Sequence, residues 1–148
     1  MITKDGQILL GMKKRGFGAG KWNGFGGKPH DGESIQDAMV RETKEEINID
    51  LQKIEKIGII LFEFQGKPDI IEVHFFSCTE FLGEPTESEE MKPQWFLFDE
   101  IPFDSMWVDD RHWIPLFLEG KKFKGRFLFD PEGNEILEKC LENIEEIK

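Results

Sequence analysis

Tyrosine is absent from this sequence of 148 residues, and cysteine and histidine are scarce. The two cysteines, Cys78 and Cys140, are too few and too far apart for a disulfide framework or a cysteine-based zinc site. No apolar run approaches the roughly 18 residues of a membrane span, and the first ten residues contain no signal-peptide core. We therefore expect a reducing compartment, the cytoplasm with the nucleus and mitochondria as further locations, and no membrane partner.

Positive charge is also in short supply. Nineteen lysines and arginines face 30 aspartates and glutamates, which gives a formal net charge of −11. Such an excess argues against a protein that follows a nucleic-acid backbone, so no nucleic-acid polymer is expected as a partner. It does not exclude a small phosphate ligand bridged by a metal ion. The length predicts one domain, residues 1–148, and we expect a monomer.

What is present is a dense acidic segment, GKPHDGESIQDAMVRETKEEINI, at residues 27–49. Within it Glu42, Glu45 and Glu46 are three and four positions apart, which places them on one side of a helix. Like charges at that spacing destabilise a helix, so a cation is expected to offset their repulsion. Mg²⁺, with Mn²⁺ as a substitute, fits best because hard cations take carboxylate oxygens and keep waters for phosphate substrates.

A glycine-rich stretch, KKRGFGAGKWNG, precedes the acidic segment at residues 13–24. Its glycines at positions 16, 18 and 20 exclude a regular helix and favour a hairpin loop. Glycine backbone can also approach a ligand closely. The basic residues of this region are either solvated or directed at phosphate, and both interpretations stay open: Lys13, Lys14, Arg15, Lys21 and Lys28.

The hydrophobic pattern predicts a mixed sheet with two helices, of the α+β or α/β class. Strands are expected at residues 7–12, 53–64, 70–79, 94–98 and 123–129, and the second and third form a hairpin. One helix is expected at residues 35–47, with Ser34 as N-cap and Asn48 as C-cap. A second is expected at residues 109–119, capped by Asp109 or Asp110. The acidic residues 80–92 favour a solvated loop, and residues 135–148 fit either a helix or a strand.

Gly27, Glu33 and the run RETKEEINI at residues 41–49 resemble the Nudix box, GX5EX7REUXEEXGU, in which U is aliphatic. Thr43 and Asn48 depart from it, and we expect Thr43 to pack through its methyl group and Asn48 to adopt the left-handed conformation of the usual glycine. Four further stretches resemble the animal Nudix hydrolases that act on oxidised purine nucleoside triphosphates: residues 11–28, 62–64, 89–91 and 106–110.

The resemblance implies an α+β fold of the Nudix type, an α/β/α sandwich with a mixed central sheet and two main helices. It also implies a Mg²⁺-dependent nucleoside triphosphate pyrophosphohydrolase that releases pyrophosphate from 8-oxo-dGTP and 2-hydroxy-dATP. The metal ligands implied are the Gly26 carbonyl and the carboxylates of Glu42, Glu45, Glu46 and Glu90. The catalytic residues implied are Glu45, Glu46 and Glu90, with Glu45 or Glu90 as the base. Arg41 would orient the glutamates, and Glu33 would brace the turn before the helix.

The substrate contacts implied by the resemblance come from both halves of the chain. Trp107 would stack on the base, and Asp109 and Asp110 would share a proton that matches either of two purine edges. The remaining residues of this set are Lys13, Phe17, Asn23, Phe25, Gly26, Gly27, Lys28 and Phe62. Simpler alternatives are helix capping for the two aspartates and a packed loop anchor for Trp107.

The resemblance also indicates one gap, because the family places a strand before the segment aligned with residues 7–12. We therefore expect the sheet to lack its first N-terminal strand, which would open the base pocket and leave a strand edge exposed. Two alternative functions stay open. One is a Nudix hydrolase of dinucleoside polyphosphates, methylated purines or RNA caps, and the other is a nucleotide-binding module with little turnover.

Overall fold

A computed structural model describes residues 1–147. Within these residues, eight strands and two α-helices follow one another. The elements, in chain order, are β1 (Ile2–Lys4), β2 (Gln7–Lys13), β3 (Trp22–Asn23), α1 (Ile35–Ile47), β4 (Asp50–Phe64), β5 (Ile70–Leu82), β6 (Met91–Leu97), α2 (Asp110–Leu118), β7 (Lys122–Phe129) and β8 (Ile136–Ile144). Parallel and antiparallel strand pairs occur together, so the predicted α+β class with a mixed sheet and two helices is confirmed.

The chain divides into two compact units, each described by itself. The first comprises residues 1–55 and 77–105. In it β2 pairs antiparallel with β1, β3 and β6, and β1 pairs in parallel with β5 at Ile2 and Cys78. Its core is an aliphatic cluster of Ile2, Leu9, Ile47, Ile49, Leu51, Cys78 and Met91.

The presence of β1 corrects one expectation. The sheet was expected to lack a strand before residues 7–12, but Ile2–Lys4 forms one. It pairs with β2 through a tight turn at Asp5 and Gly6, both of which have positive φ angles. Ile2 is buried in the core of the first unit, so the apolar side chain stabilises this short strand.

The second unit comprises residues 56–76 and those from 106 onward. Here β7 pairs in parallel with β4 and antiparallel with β8. The C-terminal segment is therefore the second strand of a hairpin, which decides between the two predicted alternatives. The core of this unit is aromatic: Phe75 packs on Trp113 and Phe123, with ring centroids 4.3 and 5.7 Å away.

Helix α1 begins and ends at the predicted residues because its signals are local. The Ser34 hydroxyl accepts a hydrogen bond from the Asp37 N–H at 3.0 Å, as an N-cap does. At the other end Asn48 has φ 60° and ψ 40°, and its N–H donates to the Lys44 carbonyl. Thr43 is fully buried, and its hydroxyl donates to the Met39 carbonyl at 2.7 Å, so it packs as expected without an orphaned polar atom.

The helices of residues 1–147 are all too short or too polar to cross a bilayer. Both cysteines are free, as the sequence predicted, with Cys78 buried and Cys140 exposed.

Candidate active site

Helix α1 carries its glutamates into different environments. Glu46 is only 8% exposed, and its Oε1 accepts a hydrogen bond from the Gly26 N–H at 3.0 Å. Glu45 points to solvent, with more than half of its side chain exposed. The glycine pair that precedes the helix is thus joined to the last helical turn through a buried carboxylate.

Glu46 lies near other negatively charged side chains. Burial, together with the nearby charges of Glu42 and Glu90, raises the pKa of Glu46 from 4.5 to about 7. The Gly26 hydrogen bond and the charge of Lys13 act in the opposite direction. Glu46 is therefore influenced by the charge of a second carboxylate on α1 and of one on the acidic loop before β6.

Gly27 makes the close approach of the preceding loop to α1 possible. A Cβ atom built on Gly27 would lie 2.6 Å from Cδ and 2.9 Å from Oε1 of Glu42. Real Cβ atoms do not come so near, so any side chain at this position would displace the Glu42 carboxylate. Because Gly27 has no side chain, the Glu42 carboxylate can pack directly against its backbone.

Arg41 holds this acidic group together from one side. Its Nε and Nη2 donate to the two oxygens of Glu33 at 2.9 and 3.0 Å, a bidentate pair. Its Nη1 donates to Glu42 Oε1 at 2.8 Å and lies 3.4 Å from Glu45 Oε2. The Lys28 carbonyl accepts from Nη2 at 3.3 Å, so one guanidinium links the loop to α1.

We expect the pairing of Arg41 with Glu33 to make the stability of the fold fall at acidic pH. The hydrogen bonds from Arg41 and from the His30 N–H lower the pKa of Glu33 from 4.5 to about 2. Because folding lowers the pKa of Glu33, its charged form stabilises the fold above pH 4.5, and this stabilisation is lost as the pH falls from 4.5 towards 2. Glu33→Gln should therefore melt below wild type at pH 7, and the difference in Tm should shrink through this pH window.

Thermal melts of both proteins from pH 7 to pH 2 measure that difference, with the exposed Glu84→Gln as a matched control. A difference in Tm that stays constant down to pH 2 would contradict the assignment.

The acidic loop is exposed, as predicted, but some of its carboxylates pair with the glycine-rich loop. Arg15 Nη2 donates to Glu90 Oε1 at 3.3 Å, and Lys14 forms a short ion pair with Glu87. The Lys14 N–H also donates to the Glu90 carbonyl at 2.9 Å. Two of the basic residues of the glycine-rich loop thus pair with the acidic loop. The opposite charges of the two loops are visible in the sequence, but nothing in the sequence predicts that the loops lie close together.

The donor set fits a hard divalent cation, although no three side chains within residues 1–147 already converge at ligand distance. Carboxylates and a backbone carbonyl are the ligands that Mg²⁺ prefers. The raised pKa of Glu46 reflects repulsion from Glu42 and Glu90, which a cation would relieve.

The other predicted contacts of the first unit have varied surroundings. Lys13 Nζ donates to the Phe17 carbonyl at 2.8 Å, and the Phe17 side chain is 66% exposed at the tip of the glycine-rich loop. Asn23 Oδ1 accepts from the Gly24 N–H at 2.9 Å. Phe25 packs against the aliphatic core, and Lys28 is exposed. These substrate roles therefore stay predictions.

The second unit holds the two aspartates, and they are 4% and 3% exposed. Trp113 Nε1 donates to Asp109 Oδ2 at 2.9 Å. Asp110 Oδ2 is buried and has no hydrogen-bond partner among the atoms of residues 1–147. Asp109 is the N-cap residue of α2, one of the two predicted alternatives, but its side chain makes no capping hydrogen bond and accepts from Trp113 instead. Asp110 lies in the first helical turn.

Both carboxyl groups favour the protonated form. Burial raises the pKa of Asp109. Burial also raises the pKa of Asp110 well above its ordinary value, and the charge of Asp109 and a hydrogen bond between the two carboxyls add to the effect. For two adjacent carboxyl groups in so little water, the state in which one of them keeps its proton is favoured. The pair can donate a hydrogen bond from one oxygen and accept at another.

Aromatic side chains of β4 and β7 pack together in the second unit. Phe62 stacks on Phe127 and Phe129, with centroids 5.9 and 5.7 Å away, and Phe64 packs on Phe129 at 5.3 Å. Phe62 was predicted as a substrate contact, but its stacking partners were not. The alternation of Phe123, Phe127 and Phe129 along β7 is the signal that places all three on one face of the strand.

Comparison with known proteins gives a consistent picture. The model of the NUDIX domain matches residues 1–117. The chain is 52% identical over 132 residues to the oxidized purine nucleoside triphosphate hydrolase of Mus musculus, covering 89% of this chain and 85% of that one. It is 49% identical over 148 residues to the protein of the same name from Danio rerio, covering 99% and 94%.

A solved structure supports the fold. The crystal structure of a MutT protein from Bacillus halodurans superposes with a TM-score of 0.84 at 30% sequence identity. The match covers 95% of this chain and 92% of that one, so the fold of the two proteins is shared along nearly their whole lengths.

Proposed function

The chain belongs to the NUDIX family, and on that premise we propose that it hydrolyses oxidised purine nucleoside triphosphates such as 8-oxo-dGTP and 2-hydroxy-dATP. The products are the nucleoside monophosphate and pyrophosphate, and the role is to cleanse the nucleotide pool. The observation that carries the proposal is the identity of about half of all residues with two hydrolases of that name over most of the chain.

Nudix hydrolases generally use divalent metal ions, and we assign the metal here as Mg²⁺, with Mn²⁺ as a substitute. The residues that would hold it are Glu42, Glu45, Glu46 and Glu90 with the Gly26 carbonyl. When bound, Mg²⁺ neutralises the charge of the triphosphate and lowers the pKa of a water molecule. Support comes from the donor set and from the unbalanced negative charge around Glu46.

The remaining chemistry belongs to side chains of the first unit. Glu45 or Glu90 takes the proton of the attacking water, and both carboxylates are solvent-exposed. The water oxygen bonds to the β phosphorus, and the bond from that phosphorus to the oxygen bridging the α phosphorus breaks. Arg41 is a positioning residue, because its guanidinium contacts Glu33, Glu42 and Glu45 at the same time.

Recognition of the base is assigned to the second unit. Trp107 offers the flat apolar face on which the purine stacks. Asp109 and Asp110 would supply one donor and one acceptor, since burial raises the pKa of both and favours a pair that keeps one proton. We further propose that the protein acts on small nucleotides and not on nucleic-acid polymers, since a net charge of −11 does not suit a nucleic-acid backbone. We also propose that it is a monomer.

One assay tests the proposal. Purified protein with Mg²⁺ is offered 8-oxo-dGTP, 2-hydroxy-dATP, dGTP and a cap analogue, and pyrophosphate release is measured. We expect kcat/KM for the oxidised purines to exceed that for dGTP by at least about tenfold, because a hydrogen-bonding site discriminates strongly between base edges. Preference for the cap analogue would support a Nudix hydrolase of other substrates, and binding without release would indicate a nucleotide-binding module.

A further inference from the structure

A buried glycine lies at the exposed turn between β7 and β8. Gly133 is the buried residue of the sequence DPEGN, whose other members are exposed or half-buried. It has φ +79°, a conformation that residues with a side chain rarely adopt. The rings of Trp107 and Phe64 cover its Cα, so this turn is packed against aromatic side chains of the second unit.

No side chain fits at this position without moving the indole. A Cβ on Gly133 would lie 2.8 Å from Cζ3 of Trp107 and 3.1 Å from Cε1 of Phe64. Carbon atoms in contact prefer about 3.5–4.0 Å, so the rigid ring would have to shift by roughly 0.7 Å or more. Phe64 is itself packed on Phe129 at 5.3 Å and offers little room on its side.

The turn itself is held in place by Asp130. Its Oδ1 accepts hydrogen bonds from the N–H groups of Asn134 and Glu135 at 2.6 and 2.9 Å. The Gly133 N–H donates to the Asp130 carbonyl at 3.0 Å, and the Asp130 N–H donates to the Glu135 carbonyl at 3.0 Å. Side-chain bonds of this kind fix an aspartate turn. We therefore expect a side chain at position 133 to displace the Trp107 indole and not the turn.

We propose that Gly133 is a positioning residue for the purine platform: the β7–β8 turn sets the place of the Trp107 indole and thereby the affinity for the base. The proposal rests on the proposed function, in which the base stacks on Trp107. It adds a residue far in sequence from every motif of the active site. Glycine is required here for the open space as well as for the backbone conformation.

Gly66 is a matched control, since it has φ +81° in the turn between β4 and β5 of the same unit, and no atom lies within 4 Å of its Cβ position. Both glycine-to-alanine changes strain the backbone alike, but only Gly133→Ala meets the indole. We expect Gly133→Ala to raise KM for 8-oxo-dGTP by about tenfold, the size of a partly lost base–aromatic stack. The kcat should change by less than about twofold, because stacking is binding that substrate and transition state share. Gly66→Ala should leave KM as it is.

Two further measurements locate the cause. The indole Nε1–H resonance of Trp107, identified by its loss in Trp107→Phe, should shift in Gly133→Ala and stay in place in Gly66→Ala. In the Trp107→Phe background, whose smaller ring relieves the contact, Gly133→Ala should no longer change KM. If Gly133→Ala alone folds poorly, the same background should restore its Tm.

An unchanged resonance or an unchanged KM in Gly133→Ala would overturn the inference. So would an equal rise in KM in Gly66→Ala, or a defect that persists in the Trp107→Phe background. If wild-type protein releases no pyrophosphate from any purine triphosphate, the proposed function fails. The Trp107 resonance then still decides by itself whether Gly133 sets the position of the indole.

Discussion

Glu46→Gln should lower the rate of pyrophosphate release from 8-oxo-dGTP by at least about a hundredfold, the lower end of the loss for a catalytic carboxylate. The amide keeps the size of the side chain, and its oxygen can still accept from the Gly26 N–H, which lies 3.0 Å from the carboxylate in wild type. What is lost is one negative charge at the centre of the group formed with Glu42 and Glu90. The rate under saturating Mg²⁺ is the direct measurement.

The same variant should not lose stability. The pKa of Glu46 is raised from 4.5 to about 7 in the fold. A raised pKa gives stability that is fully present below 4.5 and is lost as the pH rises through about 7. Glutamine does not titrate, so in EDTA the Tm of Glu46→Gln relative to wild type should increase between pH 4.5 and pH 8. A catalytic loss with an equal or higher Tm separates chemistry from folding.

Asp37→Asn supplies the control on the same helix. It also removes one negative charge, but from an exposed side chain in the first turn, and its backbone N–H keeps the bond to Ser34. Its rate should stay within about twofold of wild type, as exposed substitutions usually do. Equal losses in the two variants, or a Glu46→Gln protein with near-normal turnover, would contradict the assignment of Glu46.

Asp110→Asn should change the preference between 8-oxo-dGTP and 2-hydroxy-dATP by at least about tenfold, the size of one misplaced buried hydrogen bond. In wild type, a proton shared with Asp109 can move so that the pair matches either base edge. Asparagine fixes one donor and one acceptor in place. The ratio of kcat/KM for the two substrates is the measurement, and an equal loss on both would show that the pair does not choose the base.

The pH dependence of Tm tests the Asp109–Asp110 pair independently of activity. The pKa of Asp110 is raised well above 3.8 by burial and by Asp109. Its contribution to stability is present below 3.8 and is lost as the pH rises towards its value in the fold. Asp110→Asn should therefore gain Tm relative to wild type as the pH rises above 3.8, whereas the exposed Asp69→Asn should follow wild type throughout.

Helix α1 was predictable from the sequence because everything that sets it is local. Ser34 and Asn48 cap it by contacts with residues three and four positions away, and its periodicity places the glutamates. The spacing of Gly27, Glu33 and residues 41–46 also pointed to the family, which the comparisons confirm. Strands β4, β5 and β7 were found through their β-branched and aromatic residues, with ends that differ by up to three positions.

Features that depend on distant partners were missed or left open. The apolar residues of β8 have helical spacing, and only pairing with β7 makes this segment a strand. Short strand β1 is stabilised by burial of Ile2 and by pairing with β2, neither of which the local pattern reveals. Asp109 or Asp110 was expected to cap α2, and Asp109 takes that position, but its carboxylate accepts a hydrogen bond from the indole of Trp113 and makes no capping bond.

The contact between Arg15 and Glu90 has a thermodynamic consequence. Both side chains are largely exposed, so the 3.3 Å pair is weak and screened by salt. A cation that recruits the Glu90 carboxylate competes with Arg15 for it, and by linkage anything that draws Arg15 away must tighten the cation to the same degree. Cation binding by the acidic group and release of Arg15 in the glycine-rich loop from Glu90 are therefore coupled, and a measurement of either one reports on the other.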